Sequence, residues 1–159
     1  MTAPVLRAVE DGDIAIFYEH QLDPEAHAML AYAGEPPAER DAYLAKWVRN
    51  RADASNVHRT VVSPEGGAVA GYVTCFYRFG EREVGYWLGN AYWGKGLATR
   101  AVRELVAIVT TRPLVARVAK HNIGSRRVGE KCGFVVQGED KYTPVPGGPE
   151  VHEWILRLP

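Results

Sequence analysis

The segment from Val84 to Val109 constrains this chain more than any other part, because it predicts a strand, a glycine-rich turn and a helix in immediate succession. Gly94 and Gly96 flank Lys95 at the point where the helix would begin. The backbone N–H groups of such a turn and the helix N-terminus point at one place, which favours a bound anion. The segment therefore predicts a phosphate-binding site at a strand–helix junction.

The composition predicts a single globular domain over residues 1–159. Hydrophobic residues make up 47% of the chain, and 19 basic residues balance 19 acidic ones, so charge gives no reason to expect a nucleic-acid or membrane partner. No apolar run is long enough to span a bilayer, and the first residues lack the apolar core of a signal peptide. Two cysteines without a CxxC spacing favour a reducing, cytoplasmic setting.

Apolar periodicity predicts helices and strands in a mixed order. Helices are expected over residues 11–21, 24–30, 39–51, 97–109 and 123–131, with a turn at Gly34, Pro36 and Pro37. Strands are expected over residues 5–8, 60–63, 68–77, 83–88, 114–119, 134–137 and 151–158. The fold class is therefore predicted to be α/β in the layered α+β sense, with a mostly antiparallel central sheet of about six to seven strands flanked by helices.

Two common phosphate motifs fit the glycine-rich turn poorly. Gly89 to Lys95 satisfies GxxxxGK, but Gly96 stands where a magnesium-binding Ser or Thr belongs. The stretch from Gly94 to Thr99 approaches GxGxxG but lacks the third glycine and the carboxylate about 20 residues later. A P-loop nucleotide phosphotransferase and a dinucleotide-binding protein are therefore both disfavoured.

A third match is more specific, because it involves two motifs in order. The segments Tyr86–Gly89 and Tyr92–Thr99 resemble the acetyl-CoA pyrophosphate loop of the GNAT N-acetyltransferase superfamily. The segment Asn122–Phe134 resembles the NxxSxRxxEKxGF signature of the branch that includes ribosomal-protein N-terminal acetyltransferases. The resemblance covers residues 68–137 and departs from the family pattern at Ala91, Gly124 and Gly129.

This resemblance implies a GNAT-like fold and acetyl-CoA as cosubstrate, with no metal. It implies acetyl transfer to a primary amine, either a protein N-terminus or a small molecule, by direct attack in a ternary complex. Backbone groups at the end of the strand would pair with the pantetheine arm, and the turn amides would hold the pyrophosphate. The implied cofactor-binding residues are Leu88, Gly89, Gly94, Lys95, Gly96, Leu97, Ala98, Thr99, Asn122 and Ser125.

The resemblance also implies catalytic roles. Ser125 matches the position that protonates the departing thiolate, with a surface serine of the helix as the alternative. Asn122 either contacts the cofactor, caps the following helix, or does both. Glu83 is the candidate base that takes a proton from the amine. Tyr142 is either an alternative acid or a residue that lines the acceptor cleft. Backbone N–H groups near Leu88 and Gly89 would stabilise the oxyanion. Arg126, Arg127 and Lys131 either meet the adenosine phosphates or form a solvated face.

Other functions remain open at this stage. The chain could be an acyl-CoA-binding or regulatory module without turnover, since no residue is an unambiguous base. The amine acceptor is not readable, because residues 20–52 and 138–150, which would select it, carry no motif. A monomer and a homodimer are both compatible with the sequence.

Overall fold

The computed structural model describes residues 3–29, 38–143 and 146–159. Seven strands of the described residues form one sheet in the order β1-β2-β3-β4-β5-β7-β6. The strands are β1 (Leu6–Arg7), β2 (Val57–Val62), β3 (Val69–Arg78), β4 (Glu81–Leu88), β5 (Leu114–Ala119), β6 (Val135–Tyr142) and β7 (Val151–Leu158). The helices are α1 (Asp11–Gln21), α2 (Pro24–Ala28), α3 (Arg40–Ala52), α4 (Leu97–Ile108) and α5 (Ile123–Lys131).

The sheet is antiparallel except at its centre. One pair of residues, Glu83 and Val115, joins β4 to β5, and that pairing is parallel. The other neighbouring strands pair antiparallel over longer registers, and β3 turns into β4 through Phe79 and Gly80, whose φ angles are +54° and +75°. Two successive residues with positive φ are typical of the type I′ hairpin turn. The mostly antiparallel seven-stranded sheet confirms the predicted fold class.

Helices cover both faces of the sheet. The main core forms where α4 and α5 pack on one face, and it includes the fully buried Leu105 and Leu156. A smaller cluster lies on the other face, where the rings of Phe17 of α1, Trp47 of α3 and Tyr72 of β3 pack against one another in tilted and edge-on arrangements, with centroid distances of 4.9–5.2 Å. No helix among residues 3–29, 38–143 and 146–159 is long and apolar enough to cross a bilayer.

The strand register determines which face carries the polar side chains of β4 to β7. Glu83 lies opposite Val115, Ala119 opposite Glu153, and Glu153 opposite Asp140. Residues opposite one another project from the same face, and side chains alternate along each strand. Glu83, Arg117, Glu153 and Asp140 therefore share the face opposite to α4 and α5.

Most predicted element positions are confirmed, and the differences have a physical reason. The strand predicted over residues 134–137 runs from Val135 to Tyr142, because antiparallel pairing with β7 extends it through the polar run Glu139–Lys141. The first strand is limited to Leu6–Arg7, and β2 begins at Val57 rather than Thr60. The end of the predicted helix at residue 30 and the turn at Gly34, Pro36 and Pro37 lie outside the described residues.

Candidate active site

An opening in the sheet defines the candidate site. The strands β4 and β5 are joined only near their beginnings, by Glu83 and Val115, although β4 continues to Leu88 and β5 to Ala119. The β4 end of this opening leads into the glycine-rich turn, and the β5 end leads into α5. Two adjacent cavities, of about 600 Å³ and 250 Å³, lie at the opening, and residues including Tyr86, Asn122 and Ser125 belong to the walls of both.

The backbone of β4 presents a free edge to this opening. The N–H of Gly89 donates to the carbonyl of Ala70 on β3 at 2.9 Å. Because alternate residues of an antiparallel strand face opposite neighbours, the backbone groups of Tyr86 and Leu88 face away from β3. The Leu88 carbonyl accordingly accepts a bond from the Trp93 indole at 3.0 Å, whereas the Leu88 N–H points into the opening. Gly89, predicted as a pantetheine and oxyanion contact, is buried and outside the cavity walls.

The glycine-rich turn closes the larger cavity at the start of α4. Gly94 and Gly96 have φ angles of +72° and +76°, which other residues adopt only with strain, and Gly96 is the N-cap of α4. A Cβ at either position would meet no atom within 4 Å. The two glycines are therefore required by backbone conformation. The turn residues in the cavity wall are Gly94, Gly96, Leu97, Ala98 and Thr99; Lys95 is exposed and outside it.

The N-terminus of α5 forms the opposite wall. The Asn122 side chain accepts from the Ser125 N–H at 3.1 Å, which caps the helix, and donates to the Met29 carbonyl at 3.4 Å. His121, beside it, contacts the Ala28 carbonyl at 2.8 Å. The β5–α5 turn thereby fastens the end of α2 over the site.

The basic residues of α5 separate into two groups. Arg127 and Lys131 line the larger cavity. Arg126 instead stacks on Trp154 at 4.9 Å from the ring centroid and bonds Glu130 at 3.3 Å. Of the three basic residues predicted as possible phosphate contacts, Arg126 therefore lies on the helix surface, outside the cavity wall.

Two hydroxyl groups lie close together in the wall that the two cavities share. The Tyr86 and Ser125 hydroxyls are 2.8 Å apart, and burial raises the pKa of Tyr86. This pair links the free edge of β4 to the start of α5. Sequence reasoning assigned a role to Ser125 but none to Tyr86, because their contact depends on two segments 39 residues apart.

The smaller cavity carries buried charges from the opposite face of the sheet. Glu83 accepts two bonds from Arg78, at 3.0 and 2.9 Å, and lies 3.7 Å from Arg117. Glu153 is 4% exposed and lies 3.6 Å from Arg117. Burial raises the pKa of both carboxyl groups, against the opposing effect of the two guanidinium groups. Tyr142 lines the same cavity and hydrogen-bonds to the Glu153 carboxylate.

A comparison with known proteins identifies the family. Residues 5–135 match the model of the acetyltransferase (GNAT) domain. The chain belongs to the GNAT acetyltransferase family. This result confirms the resemblance carried by the two sequence motifs.

Relatives of the GNAT chain are distant in sequence but similar in fold. It is 27% identical over 120 residues to a Bacillus subtilis protein named "Putative ribosomal N-acetyltransferase YdaF", and the match spans 68% of this chain and 64% of that one. It resembles a phosphinothricin acetyltransferase of Sinorhizobium meliloti, solved with acetyl-CoA, with a TM-score of 0.80 and 21% identity over 100% and 89% of the two chains. It also resembles a spermidine N-acetyltransferase of Vibrio cholerae, solved with CoA and spermine, with a TM-score of 0.77 and 20% identity over 96% and 93%.

The GNAT fold brings most of the predicted site residues into one cleft. Leu88, the turn residues from Gly96 to Thr99, Asn122 and Ser125 surround the larger cavity, while Glu83, Ser125 and Tyr142 surround the smaller one. Arg117 and Glu153 were not anticipated as site residues. No group of three or more metal-binding side chains occurs in the described part of the chain.

Proposed function

We propose that this protein transfers an acetyl group from acetyl-CoA to a primary amine by direct attack in a ternary complex. One observation carries the proposal: a single cavity joins the glycine turn and α4 N-terminus to the β4–β5 opening and the α5 N-terminus. A pyrophosphate would occupy the turn, where backbone N–H groups and the helix dipole favour negative charge. Arg127 and Lys131 would meet the remaining phosphate charge from α5.

The free edge of β4 suits the pantetheine arm. The arm contains amide groups, and the backbone of Tyr86 and Leu88 faces the opening with strand geometry. An arm bound there would direct its thioester from the larger cavity towards the smaller one, through the sheet. The Leu88 N–H would then lie on the path of the thioester carbonyl and donate to the oxyanion.

Proton transfers would use groups in the shared wall and the smaller cavity. Ser125, hydrogen-bonded to Tyr86, would supply a proton to the departing thiolate, which needs little assistance because a thiol has a pKa of about 8.5. An α-amino group has a pKa of about 8, whereas a lysine side chain has a pKa of about 10.4. An α-amino acceptor therefore loses its proton more readily than a lysine side chain does. The smaller cavity contains two buried carboxylates, Glu83, which is the predicted base, and Glu153, and the raised pKa of each favours proton uptake.

Calorimetric titration with acetyl-CoA tests the cofactor assignment. Thr99→Glu places a carboxylate in the first turn of α4, where negative charge favours the helix but repels a pyrophosphate. We expect the wild type to bind acetyl-CoA and Thr99→Glu to bind it at least about tenfold more weakly. Ala42→Glu adds the same charge to the exposed first turn of α3 and serves as the matched control.

Turnover is then measured as thiol release with a panel of primary amines, including a peptide with N-terminal alanine and spermidine. Acetyl-CoA binding without acetylation of any amine would favour the acyl-CoA-binding module over the enzyme. Magnesium-dependent ATP binding in place of acetyl-CoA binding would favour the phosphotransferase. Equal acetyl-CoA affinity in the Thr99→Glu and Ala42→Glu variants would show that the cofactor does not use the α4 turn.

A further inference from the structure

Glu153 has an acceptor atom that the described residues leave unused. Its side chain is 5% exposed and lines the smaller cavity. Its Oε1 atom is buried without a hydrogen-bond partner among the described residues. The nearest cation, Nη1 of Arg117, is 3.6 Å away, which is too long for a hydrogen bond. Buried acceptors in native proteins are nearly always paired, so this atom points to a ligand.

Glu83 is a contrasting carboxylate in the same cavity. Both of its oxygens accept charge-assisted bonds from Arg78, at 3.0 and 2.9 Å. A bidentate guanidinium pair of this kind is among the strongest side-chain contacts and fixes the carboxylate in place. An incoming donor would have to compete with Arg78 at Glu83, but not at Oε1 of Glu153.

The charges around Glu153 favour a cationic ligand. Two guanidinium groups, those of Arg78 and Arg117, face three carboxylates, those of Glu83, Glu153 and Asp140. The cluster therefore has one excess negative charge. Arg78 is occupied by Glu83, and Arg117 is shared among all three carboxylates, so neither guanidinium is available for a carboxylate on the acceptor.

We infer that Glu153, rather than Glu83, receives the amino group of the acceptor and takes its proton. The inference rests on the proposed acetyl transfer and adds a class of acceptor to it: a primary ammonium group without a neighbouring anionic group. Glu83 is then a positioning residue, which holds Arg78 and orients Arg117 beside Glu153.

The proton and bond changes balance in this scheme. The ammonium group gives one proton to Glu153, and the neutral nitrogen attacks the thioester carbonyl. The N–C bond forms, the C–S bond breaks, and the sulfur leaves with the electron pair. The sulfur receives a proton from the Ser125–Tyr86 hydroxyl pair, and the nitrogen releases its second proton as the amide forms. That proton restores the hydroxyl pair, and Glu153 returns its own proton to solvent.

Ligand binding at Glu153 is tested without acetyl-CoA. Protein labelled with ¹³C at the glutamate carboxyl carbons is titrated with n-propylammonium, and the Glu153 resonance is assigned from its loss in Glu153→Gln. We expect a saturable shift of that resonance and no comparable shift with n-propanol. A Glu153 resonance that does not move, or a response confined to Glu83, would overturn the inference even if acetyl-CoA binds.

Kinetics of the loaded enzyme give the second measurement. Glu153→Gln keeps the size of the side chain but cannot take a proton, so we expect kcat/KM for the amine to fall at least tenfold while the KM for acetyl-CoA stays unchanged. Glu139→Gln is the matched control, because it removes an exposed carboxylate that pairs with Lys120 outside the cavity wall, and we expect a change of less than threefold. A Glu153→Gln enzyme within threefold of the wild type would refute the assignment. Failure of the wild type to bind acetyl-CoA would refute the transferase proposal alone, since the titration with n-propylammonium does not use that cofactor.

Discussion

The two glycines of α5 allow a matched test of how this helix is held in place. Gly129 is buried, and a Cβ there would lie 2.8 Å from Cδ2 of Leu156. Gly124 is exposed in the first turn, and a Cβ there would meet nothing closer than the Asn122 oxygen at 3.8 Å. Alanine favours the helix over glycine at both positions, but only Gly129→Ala creates a clash.

The magnitudes follow from these contacts. Alanine in place of glycine favours a helix by about 1 kcal/mol, and by less in the first turn. Carbon atoms pack at about 3.5–4.0 Å, so the Leu156 methyl would have to move by roughly 1 Å. Leu156 is fully buried, and overpacking of such a site costs about 1–3 kcal/mol. We therefore expect Gly124→Ala to raise the free energy of unfolding by up to about 1 kcal/mol. The Gly129→Ala variant should be less stable than the Gly124→Ala variant by about 1–3 kcal/mol.

Urea unfolding of the two variants and the wild type measures this difference directly, with a Tm shift of about 2–4 °C per kcal/mol as a second readout. Acetyl-CoA affinity is measured in parallel, because α5 carries Asn122, Ser125 and Arg127 in the cavity wall. Equal stabilisation by both substitutions would refute the packing argument. It would show that α5 lies further from β7 than the structure places it.

Three further predictions concern the site and its support. Arg127→Ala should weaken acetyl-CoA binding about tenfold by calorimetry and Arg126→Ala less than twofold, since Arg127 lines the cavity and Arg126 stacks on the helix surface. Tyr86→Phe and Ser125→Ala should each lower kcat about tenfold or more without changing the KM for acetyl-CoA, and the double variant should be no slower than either; additive losses would show independent roles. Burial tends to raise the pKa of Asp13, but the guanidinium and backbone donors outweigh it and lower that pKa from 3.8 to about 2. Ionised Asp13 therefore stabilises the fold by about 2 kcal/mol at pH values above 3.8, and this stabilisation is lost as the pH falls towards 2. Asp13→Asn should remove that acid limb from the stability–pH curve, and an unchanged limb would contradict this reading.

The glycine-rich turn and the cap of α5 were predictable from the sequence because their signals are local. Gly94 and Gly96 are required by the positive φ of a turn that spans only a few residues, and Asn122 caps the helix that it precedes. Gly129, where the sequence departs from the family pattern, is visible in the sequence, but the reason for it lies in a distant segment. Its lack of a side chain is explained by Leu156, which reaches α5 only through the pairing of β5 with β7.

The buried charge cluster of the smaller cavity could not be derived from local patterns. Arg117 interrupts the otherwise apolar strand β5, and Glu153 directly precedes the apolar run Trp154–Leu156 of β7. A charged residue at an inward strand position is the signal that could have drawn attention to them. Their meeting requires β7 to insert between β5 and β6, which no single segment reveals. Glu83 was recognised from the family pattern, but its two hydrogen bonds from Arg78 depend on the β3–β4 hairpin.

The position of the site follows from the one parallel pairing in the sheet. Parallel neighbours require a crossover, which α4 provides, so α4 begins just beyond the carboxyl end of β4. The helix α5 likewise begins just beyond the carboxyl end of β5. Two helix N-termini, at Gly96 and Asn122, therefore stand at the same edge of the sheet, where open α/β sheets bind their ligands. Because β4 and β5 are joined only at Glu83 and Val115, this edge opens through the sheet, with the glycine-rich turn on one face and the buried carboxylates on the other.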